Sequence, residues 1–180
     1  MPRYVAFLRA VNVGGRIVKM DELRRVFEAA GLDDVESFIA SGNLVFSTKA
    51  TATAKIESML ESALRTALGY EVPVFVRSTA EVAAAAAHRA FSAAEVAEAA
   101  SHVVAFVRGP LDAAGRKGLA GLESAIDRFV AHGREVYWLS TVRQGESKMT
   151  LVKFERAIGQ PATMRSMTSA GKLAAKHCAD

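Results

Sequence analysis

Apolar residues follow two alternating periods along the first half of the chain, and each period predicts one kind of secondary structure. Short runs rich in β-branched and aromatic residues predict strands, whereas apolar residues spaced three or four apart predict amphipathic helices. Between 20 and 31, for example, Leu23, Val26 and Phe27 share one helical face, and a glycine ends the segment. The predicted elements of this half are a strand at 4–9, a helix at 20–31, a hairpin at 35–48, a helix at 51–69, a strand at 71–78 and a helix at 79–88.

The second half of the chain repeats this order of elements. Its predicted elements are a strand at 102–109, a helix at 112–122, a hairpin at 127–140, a helix at 148–159, a strand at 162–166 and a helix at 168–178. Each half therefore reads βαββαβ with an added helix, which is the order of the ferredoxin-like fold. We infer the duplication from element order alone, since the two halves share little obvious sequence identity.

We predict an α+β fold with two ferredoxin-like βαββαβ lobes, each followed by an extra helix and each built on an antiparallel sheet. The lobes are expected at 1–89 and 102–180, joined by an alanine-rich helical connector at 90–101, as separate lobes or as one compact unit. In this fold the strand order is 4-1-3-2, and the first and second strands run in the same direction. The end of the first strand and the turn of the first hairpin should then share one edge of the sheet.

That edge brings together residue types suited to binding an anion. Adjacent glycines let backbone N–H groups approach a ligand, and the following helix offers the positive end of its dipole, although Asp21 and Glu22 partly occupy that end. The candidate anion-binding residues at this edge are Arg9, Asn12, Gly14, Gly15, Arg16, Lys19, Ser41 and Asn43. The alternative is that both segments are ordinary turns, because neither matches the phosphate loop of nucleotide-binding proteins.

A second set of candidates lies near two predicted helix starts in the second half. Ser147 and Thr168 are placed as N-caps, and the third and fourth strands of this lobe should end at the same edge. The residues of this set are Ser147, Lys148, Arg165, Thr168 and Lys172, which could surround an anion. The alternative is that the two hydroxyls only cap their helices and that the cations are solvated.

Composition and charge narrow the classes of function. Hydrophobic residues make up 51% and charged residues 23% of the 180 residues, which is typical of a globular protein. The net charge of +4 gives a mild bias toward anionic partners, below the basic density of dedicated nucleic-acid-binding proteins. We see no apolar stretch of the length of a signal peptide or a membrane span, so we expect a cytoplasmic protein with no membrane partner.

Cysteine and histidine usage argues against disulfide and metal chemistry. The single cysteine, Cys178, excludes an intrachain disulfide and a cysteine-rich zinc site. His88, His102, His132 and His177 are scattered along the chain, and no pair has the spacing of metal ligands. We therefore expect no metal and no cofactor.

Four segments, in order along the chain, resemble the bacterial family called domain of unknown function 1697. They are YVAFLRAVNVGG near the N-terminus, SGNLVFST in the first hairpin, GESKMT at the start of a later helix, and TMRSMTSAGKL near the end. The resemblance spans nearly the whole chain and implies an α+β fold of two ferredoxin-like lobes, but it implies no activity. One departure is visible where family members often read Thr-Arg-Asn-Trp, since this chain has Met164, Arg165, Ser166 and Met167.

Three classes of function remain open. The first is a binding protein that holds a phosphate-bearing ligand, such as a nucleotide or nucleic acid, on its basic loops. The second is a small hydrolase like the ferredoxin-like acylphosphatases, in which Arg16 and Asn43 would stabilise negative charge as water attacks. The third is a protein-interaction or homo-oligomer-forming module without a small-molecule site, which an exposed apolar sheet face would favour.

Overall fold

The computed structural model describes residues 1–9, 11, 15, 17–39 and 42–179. The first half of the described chain contains β1 (Arg3–Leu8), α1 (Met20–Ala29), β2 (Asp33–Ser37), β3 (Asn43–Ser47), α2 (Thr53–Leu68), β4 (Val74–Ser78) and α3 (Thr79–Ala87). A short helix, α4 (Ala93–Glu98), lies inside the predicted connector. The second half contains β5 (Ser101–Val107), α5 (Ala113–Ala120), β6 (Asp127–His132), β7 (Glu135–Ser140), α6 (Leu151–Ile158), β8 (Ala162–Ser166) and α7 (Met167–His177).

Each half forms a four-stranded antiparallel sheet. The strand orders are β2-β3-β1-β4 and β6-β7-β5-β8, so β1 lies between β3 and β4, and β5 lies between β7 and β8. These orders are those of the ferredoxin-like fold. The predicted α+β fold of two ferredoxin-like lobes is therefore confirmed.

Contacts between residues divide the chain into two compact units. The first unit is Met1–Ala83 together with Leu173–Asp180, and the second is Ala84–Lys172. We call them the first lobe and the second lobe. The end of α7 thus belongs to the first lobe, although it follows the second in sequence. The division at 89 and 102 stays a prediction from the sequence.

Alternating residues of the central strands form the core of each lobe, because successive side chains of a strand point to opposite faces. In the first lobe, Tyr4, Ala6 and Leu8 are buried on the face that α1 and α2 cover. The residues that these helices add to the cluster are Leu23, Phe27, Ile56, Leu60 and Leu64. The corresponding cluster of the second lobe includes Val103, Ala105, Val107, Phe154 and Ile158.

The central strands of the two lobes carry a short sequence repeat. The end of β1 and the next residue read VAFLR, and the end of β5 and the next residue read VAFVR. The sheet register makes these segments equivalent, because Val5 lies opposite Arg77 and Val104 lies opposite Arg165. Both arginines donate through Nη1 to the carbonyl oxygen of the preceding residue, at 3.0 Å for Arg77 and 2.8 Å for Arg165. The central strands of the two lobes therefore share a short sequence segment, VAF followed one residue later by arginine.

Carboxylates from the helices complete the outer edge strand of both sheets. The backbone N–H of Val74 in β4 donates to Oε1 of Glu61 at 2.9 Å, and the N–H of Ala162 in β8 donates to Oε2 of Glu155 at 2.9 Å. Glu57 lies one turn earlier in α2, and its Oε1 accepts from the N–H of Val76 in β4 at 2.8 Å. These N–H groups are already paired, so they cannot add a strand from another chain. The match also identifies Glu61 and Glu155 as equivalent positions of α2 and α6.

In the second lobe, α5 and α6 approach each other closely through glycine. A Cβ atom at Gly115 would lie 2.8 Å from the carbonyl oxygen of Ile158, and one at Gly118 would overlap the carbonyl group of Ala157. Backbone atoms cannot give way as the end of a flexible side chain can. These two glycines therefore set the distance between the helices.

We expect Gly118→Ala and Gly171→Ala to change stability in opposite directions. A Cβ at Gly118 meets backbone atoms, so this change should lower the free energy of unfolding by about 1–3 kcal/mol. A Cβ at Gly171 in α7 meets nothing within 4 Å, so alanine should raise the free energy by up to about 1 kcal/mol through helix propensity. Urea unfolding measures both values, and stabilisation by Gly118→Ala would contradict the close helix contact.

Candidate functional site

The loop after β1 and the hairpin turn before β3 meet at one edge of the first sheet, and we call their described residues (9, 11, 15, 17–19, 38, 39, 42 and 43) the loop edge. The N–H of Leu8 donates to the carbonyl oxygen of Gly42 at 2.9 Å. Gly42 has a φ of 76°, and a Cβ there would lie 3.2 Å from Cβ of Leu8 and 3.3 Å from Cγ2 of Val11. The turn therefore touches the loop, as the predicted topology requires.

The described candidates of the first set lie at different depths in the loop edge. Arg9 is half-buried directly after β1, and its N–H donates to the carbonyl oxygen of Pro73 at 3.0 Å. Gly15 has a φ of 80°, a left-handed conformation that glycine adopts without strain. Lys19 is exposed at the N-cap position of α1, where its carbonyl oxygen accepts from Leu23 at 3.2 Å. The predicted members that lie outside the described residues are Asn12, Gly14, Arg16 and Ser41.

Asn43 closes the hairpin. Its side chain is 2% exposed, and Nδ2 donates to the carbonyl oxygen of Phe38 at 3.1 Å. The N–H of Phe38 donates in return to the carbonyl oxygen of Asn43 at 2.9 Å. The amide nitrogen of this side chain is therefore engaged within the hairpin itself.

Ile39, next to this reciprocal pair, carries backbone strain. Its φ of 58° lies in the left-handed region, where a β-branched residue is an outlier. Its side chain is 49% exposed. Strain of this kind costs on the order of 1–3 kcal/mol and clusters at functional sites. The outlier is a reason to consider the hairpin turn as part of such a site.

The start of α1 carries acidic side chains and has no side-chain cap among the described residues. Nη1 of Arg24 lies 3.2 Å from Oδ1 of Asp21, and Nη2 lies 3.8 Å from Oε1 of Glu28. Because Arg24 partly neutralises Asp21, the helix end keeps more of its positive potential.

The predicted N-cap at Ser147 is wrong. α6 begins at Leu151, and its cap is Thr150, whose Oγ1 accepts from the N–H of Lys153 at 3.1 Å. Ser147 instead accepts through Oγ from the N–H of Met149 at 3.0 Å. The hydroxyl stabilises a local turn three residues before the helix, because the helix starts later than its sequence pattern indicated.

The predicted N-cap at Thr168 is also wrong. Thr168 is exposed in the first turn of α7, because β8 continues directly into this helix. Oγ of Ser166 accepts from the N–H of Ser169 at 3.1 Å, and Oγ of Ser78 makes the same bond with Glu81 at 3.2 Å in the first lobe. The serine that ends the fourth strand of each lobe therefore also starts the next helix.

Arg165 directs its guanidinium along its own strand. Nη1 donates to Oγ1 of Thr163 at 2.7 Å and to the carbonyl oxygen of Met164 at 2.8 Å. Burial lowers the pKa of Arg165 to about 10, so the group stays charged at neutral pH. Lys148 and Lys172 are exposed. The bonds of Arg165 indicate a structural role in β8.

The loop after β5 is closed by a side chain that sequence reasoning missed. Oε1 of Gln160 accepts from the N–H groups of Arg108 and Gly109 at 2.9 and 3.1 Å, and its Nε2 donates to the carbonyl oxygen of Gly109 at 3.0 Å. Asp112 then caps α5 by accepting from Gly115 at 2.7 Å. The short loop of the second lobe thus satisfies its own backbone, whereas the equivalent loop of the first lobe is longer. The VAF repeat was the signal that could have revealed this equivalence.

The described ranges also bear on metal binding and on membrane-spanning helices. There, no group of three or more His, Cys, Asp or Glu residues could hold a metal ion. The described helices are too short or too polar to cross a membrane.

Three histidines are held in surroundings that disfavour their charged form. His88 stacks on His132 with ring centroids 4.0 Å apart, and burial, followed by the charge of His132, lowers the pKa of His88. Burial is the largest cause that lowers the pKa of His102 and of His177. The folded chain therefore binds protons at these positions less readily than the unfolded chain does.

We expect the free energy of unfolding to rise with pH between about 5 and 7.5. The pKa of each of these histidines lies below its ordinary value of 6.5 in the folded state, so the unfolded chain binds more protons as the pH falls through that value. Urea unfolding across this range measures the effect, and His102→Gln should reduce the slope. A stability that falls with rising pH would contradict the assignment.

Gly42→Ala and Gly133→Ala separate the contact at the loop edge from the backbone conformation. Both residues have positive φ, 76° and 58°, so both changes should cost about 1–2 kcal/mol. The nearest atom to a Cβ at Gly133 is a carboxylate oxygen of Glu135 at 3.6 Å, so no crowding is added there. We expect Gly42→Ala to cost about 1 kcal/mol more in urea unfolding. Equal losses would argue against close packing of the turn on Leu8.

Comparison with known proteins agrees with this architecture. A solved structure, that of the conserved bacterial protein SP0830 from Streptococcus pneumoniae, is similar with a TM-score of 0.75. The two sequences are 23% identical, and the match covers 98% of this chain and 99% of the other, which supports the fold. No curated protein matches the sequence. The family described as protein of unknown function (DUF1697) matches residues 1–137, and the chain therefore belongs to the DUF1697 family.

Proposed function

We propose that this protein binds an anionic, phosphate-bearing ligand, such as a nucleotide or a nucleic acid, at the loop edge of the first lobe. The observation that carries the proposal is the contact of Gly42 with Leu8 and Val11. This contact sets a hairpin turn against a glycine-containing loop that begins at Arg9 and ends at Lys19. The two ends of this loop supply the cations Arg9 and Lys19 to the proposed site.

The chemistry of this surface suits a phosphate group. The start of α1 offers backbone N–H groups and the positive end of the helix dipole. Gly15, in its left-handed conformation, leaves the backbone open to close approach by a ligand. The net charge of +4 favours encounter with an anion.

The second lobe supports this choice of site by contrast. Arg108 occupies the position equivalent to Arg9, but Gln160 accepts from the backbone N–H groups of Arg108 and Gly109. Asp112 places a carboxylate at the start of α5, where it accepts from Gly115. The N–H of Arg9 is paired as well, with the carbonyl oxygen of Pro73, so what favours the first lobe is its longer loop, which contains Gly15 in a left-handed conformation.

The acylphosphatase-like alternative requires an amide that can reach a water or an oxyanion. Asn43, the residue considered for this role, is 2% exposed, and its Nδ2 donates to Phe38 at 3.1 Å. This geometry favours a binding function without hydrolysis at Asn43. The proposal therefore makes no use of this side chain.

Calorimetric titration with inorganic phosphate, ATP and a short single-stranded RNA tests the binding function. We expect at least one probe to bind, and Arg9→Ala to weaken that binding about ten- to hundredfold, because it removes a charged hydrogen-bond donor. Exposed Lys19→Ala should weaken binding without a change in unfolding. If RNA is the ligand, its affinity should fall steeply with salt.

Arg108→Ala is the matched control, because it follows the same VAF sequence in the second lobe. It should leave binding unchanged. The proposal fails if none of the three probes binds at low salt. It also fails if wild type, Arg9→Ala and Lys19→Ala bind with equal affinity.

A further inference from the structure

An open groove of about 580 Å³ lies between α1 and α2 of the first lobe, on the side away from their shared core. Its floor and walls are mostly small or apolar. The residues that form them are Val26, Ala29, Ala30, Met59, Ala63 and Ala67. Met59 is 38% exposed, which is high for a large apolar side chain. An open groove with an exposed Met side chain is a candidate contact surface.

The groove is specific to the first lobe and does not follow from the fold. Since Glu61 and Glu155 are equivalent, Met59 corresponds to Lys153 and Ser62 to Arg156. Both second-lobe residues are charged and exposed. There the helices also close on each other through Gly118, which packs on the carbonyl group of Ala157. One lobe therefore presents an open apolar groove where the other presents a closed, charged surface.

The β4 edge of the first sheet does not compete with this helical face for a partner chain. The N–H groups of Val74 and Val76 are paired with Glu61 and Glu57, so β4 cannot extend its ladder with a second chain. The groove residues have no comparable cover. The β4 edge is therefore closed to strand addition, whereas the groove between α1 and α2 is open to an apolar contact.

The charges at the rim of the groove indicate its occupant. Glu22 and Arg25 both line the groove, both are exposed, and neither forms an ion pair with any described residue. They have opposite signs and lie one helical turn apart. A surface that carries both signs at this spacing is complementary to itself when two copies meet through a two-fold axis.

We propose that this groove is the interface between two copies of the chain, with the two α1 helices antiparallel. Glu22 of each copy then lies opposite Arg25 of the other, which forms the same charge pair twice. The alanines of the groove let helices approach closely, and Met59 adapts its shape to the opposing surface. The proposal is independent of anion binding at the loop edge.

Sedimentation velocity over about a hundredfold range of concentration tests the dimer, because its population follows mass action. The wild type should sediment as a dimer at the upper end of the range. The double variant Met59→Lys, Ser62→Arg carries the residues of the second lobe at these positions and should be monomeric. Val152→Lys is the control, because it changes an exposed residue of α6 outside the groove, and this variant should remain dimeric. Unfolding curves confirm that each variant is folded.

A charge exchange tests the two-fold arrangement itself. Glu22→Arg and Arg25→Glu should each weaken the dimer at least about tenfold, because each places like charges opposite one another. The variant that carries both changes restores opposite charges and should recover the dimer. A monomeric wild type overturns the proposal and leaves the groove to a foreign helix or a small apolar ligand. A dimer that ignores the groove variants, or no recovery by the charge exchange, overturns it as well.

Discussion

Both sheets depend on a strand that is hydrogen-bonded on both sides, β1 in the first lobe and β5 in the second. Alternate residues of these strands fill the core, so the register of the neighbouring strands is fixed by burial. In the first lobe this ladder ends with the bond from Leu8 to Gly42, which sets the hairpin turn against the loop after β1. A slip of one residue would exchange the side chains on the two faces of β1, both of which are buried, and would separate Leu8 from Gly42. The proposed anion site is therefore a consequence of strand register.

The outer strands carry a second constraint that shapes the surface. Glu61 and Glu155 accept from equivalent N–H groups of β4 and β8, and Glu57 adds a further bond in the first lobe. An unpaired edge would be a template for another strand. Because carboxylates from α2 and α6 occupy these positions, the helices are tied to the strands that they cover. These hydrogen bonds therefore remove the edges of β4 and β8 from the surfaces that could pair with another strand.

The two lobes share this scaffold but differ where chemistry is expected. Both have the VAF repeat, an arginine of the fourth strand that donates to the preceding carbonyl oxygen, and the serine that starts the next helix. The loop after β5 is short, and Gln160 closes it. The loop after β1 is long, and the hairpin that it touches at Gly42 contains the strained residue Ile39. Glycine closes α5 on α6, whereas an open groove lined mostly by small or apolar residues lies between α1 and α2. When two lobes share a fold, we expect the functional site where they differ, because the features that they share serve to stabilise the fold.

The sequence by itself determined the order of the elements, the ferredoxin-like topology and the family, because periodicity and turn residues are local signals. It also contained the VAF repeat, which makes the central strands of the two lobes equivalent. It could not choose Thr150 over Ser147 as a cap, since both residue types can cap and the helix start depends on packing. Tertiary structure alone decided that Asn43 bonds inside its hairpin, that Glu61 completes an edge strand and that a groove opens between α1 and α2. Each of these depends on distances between segments far apart in the chain, which no local pattern encodes.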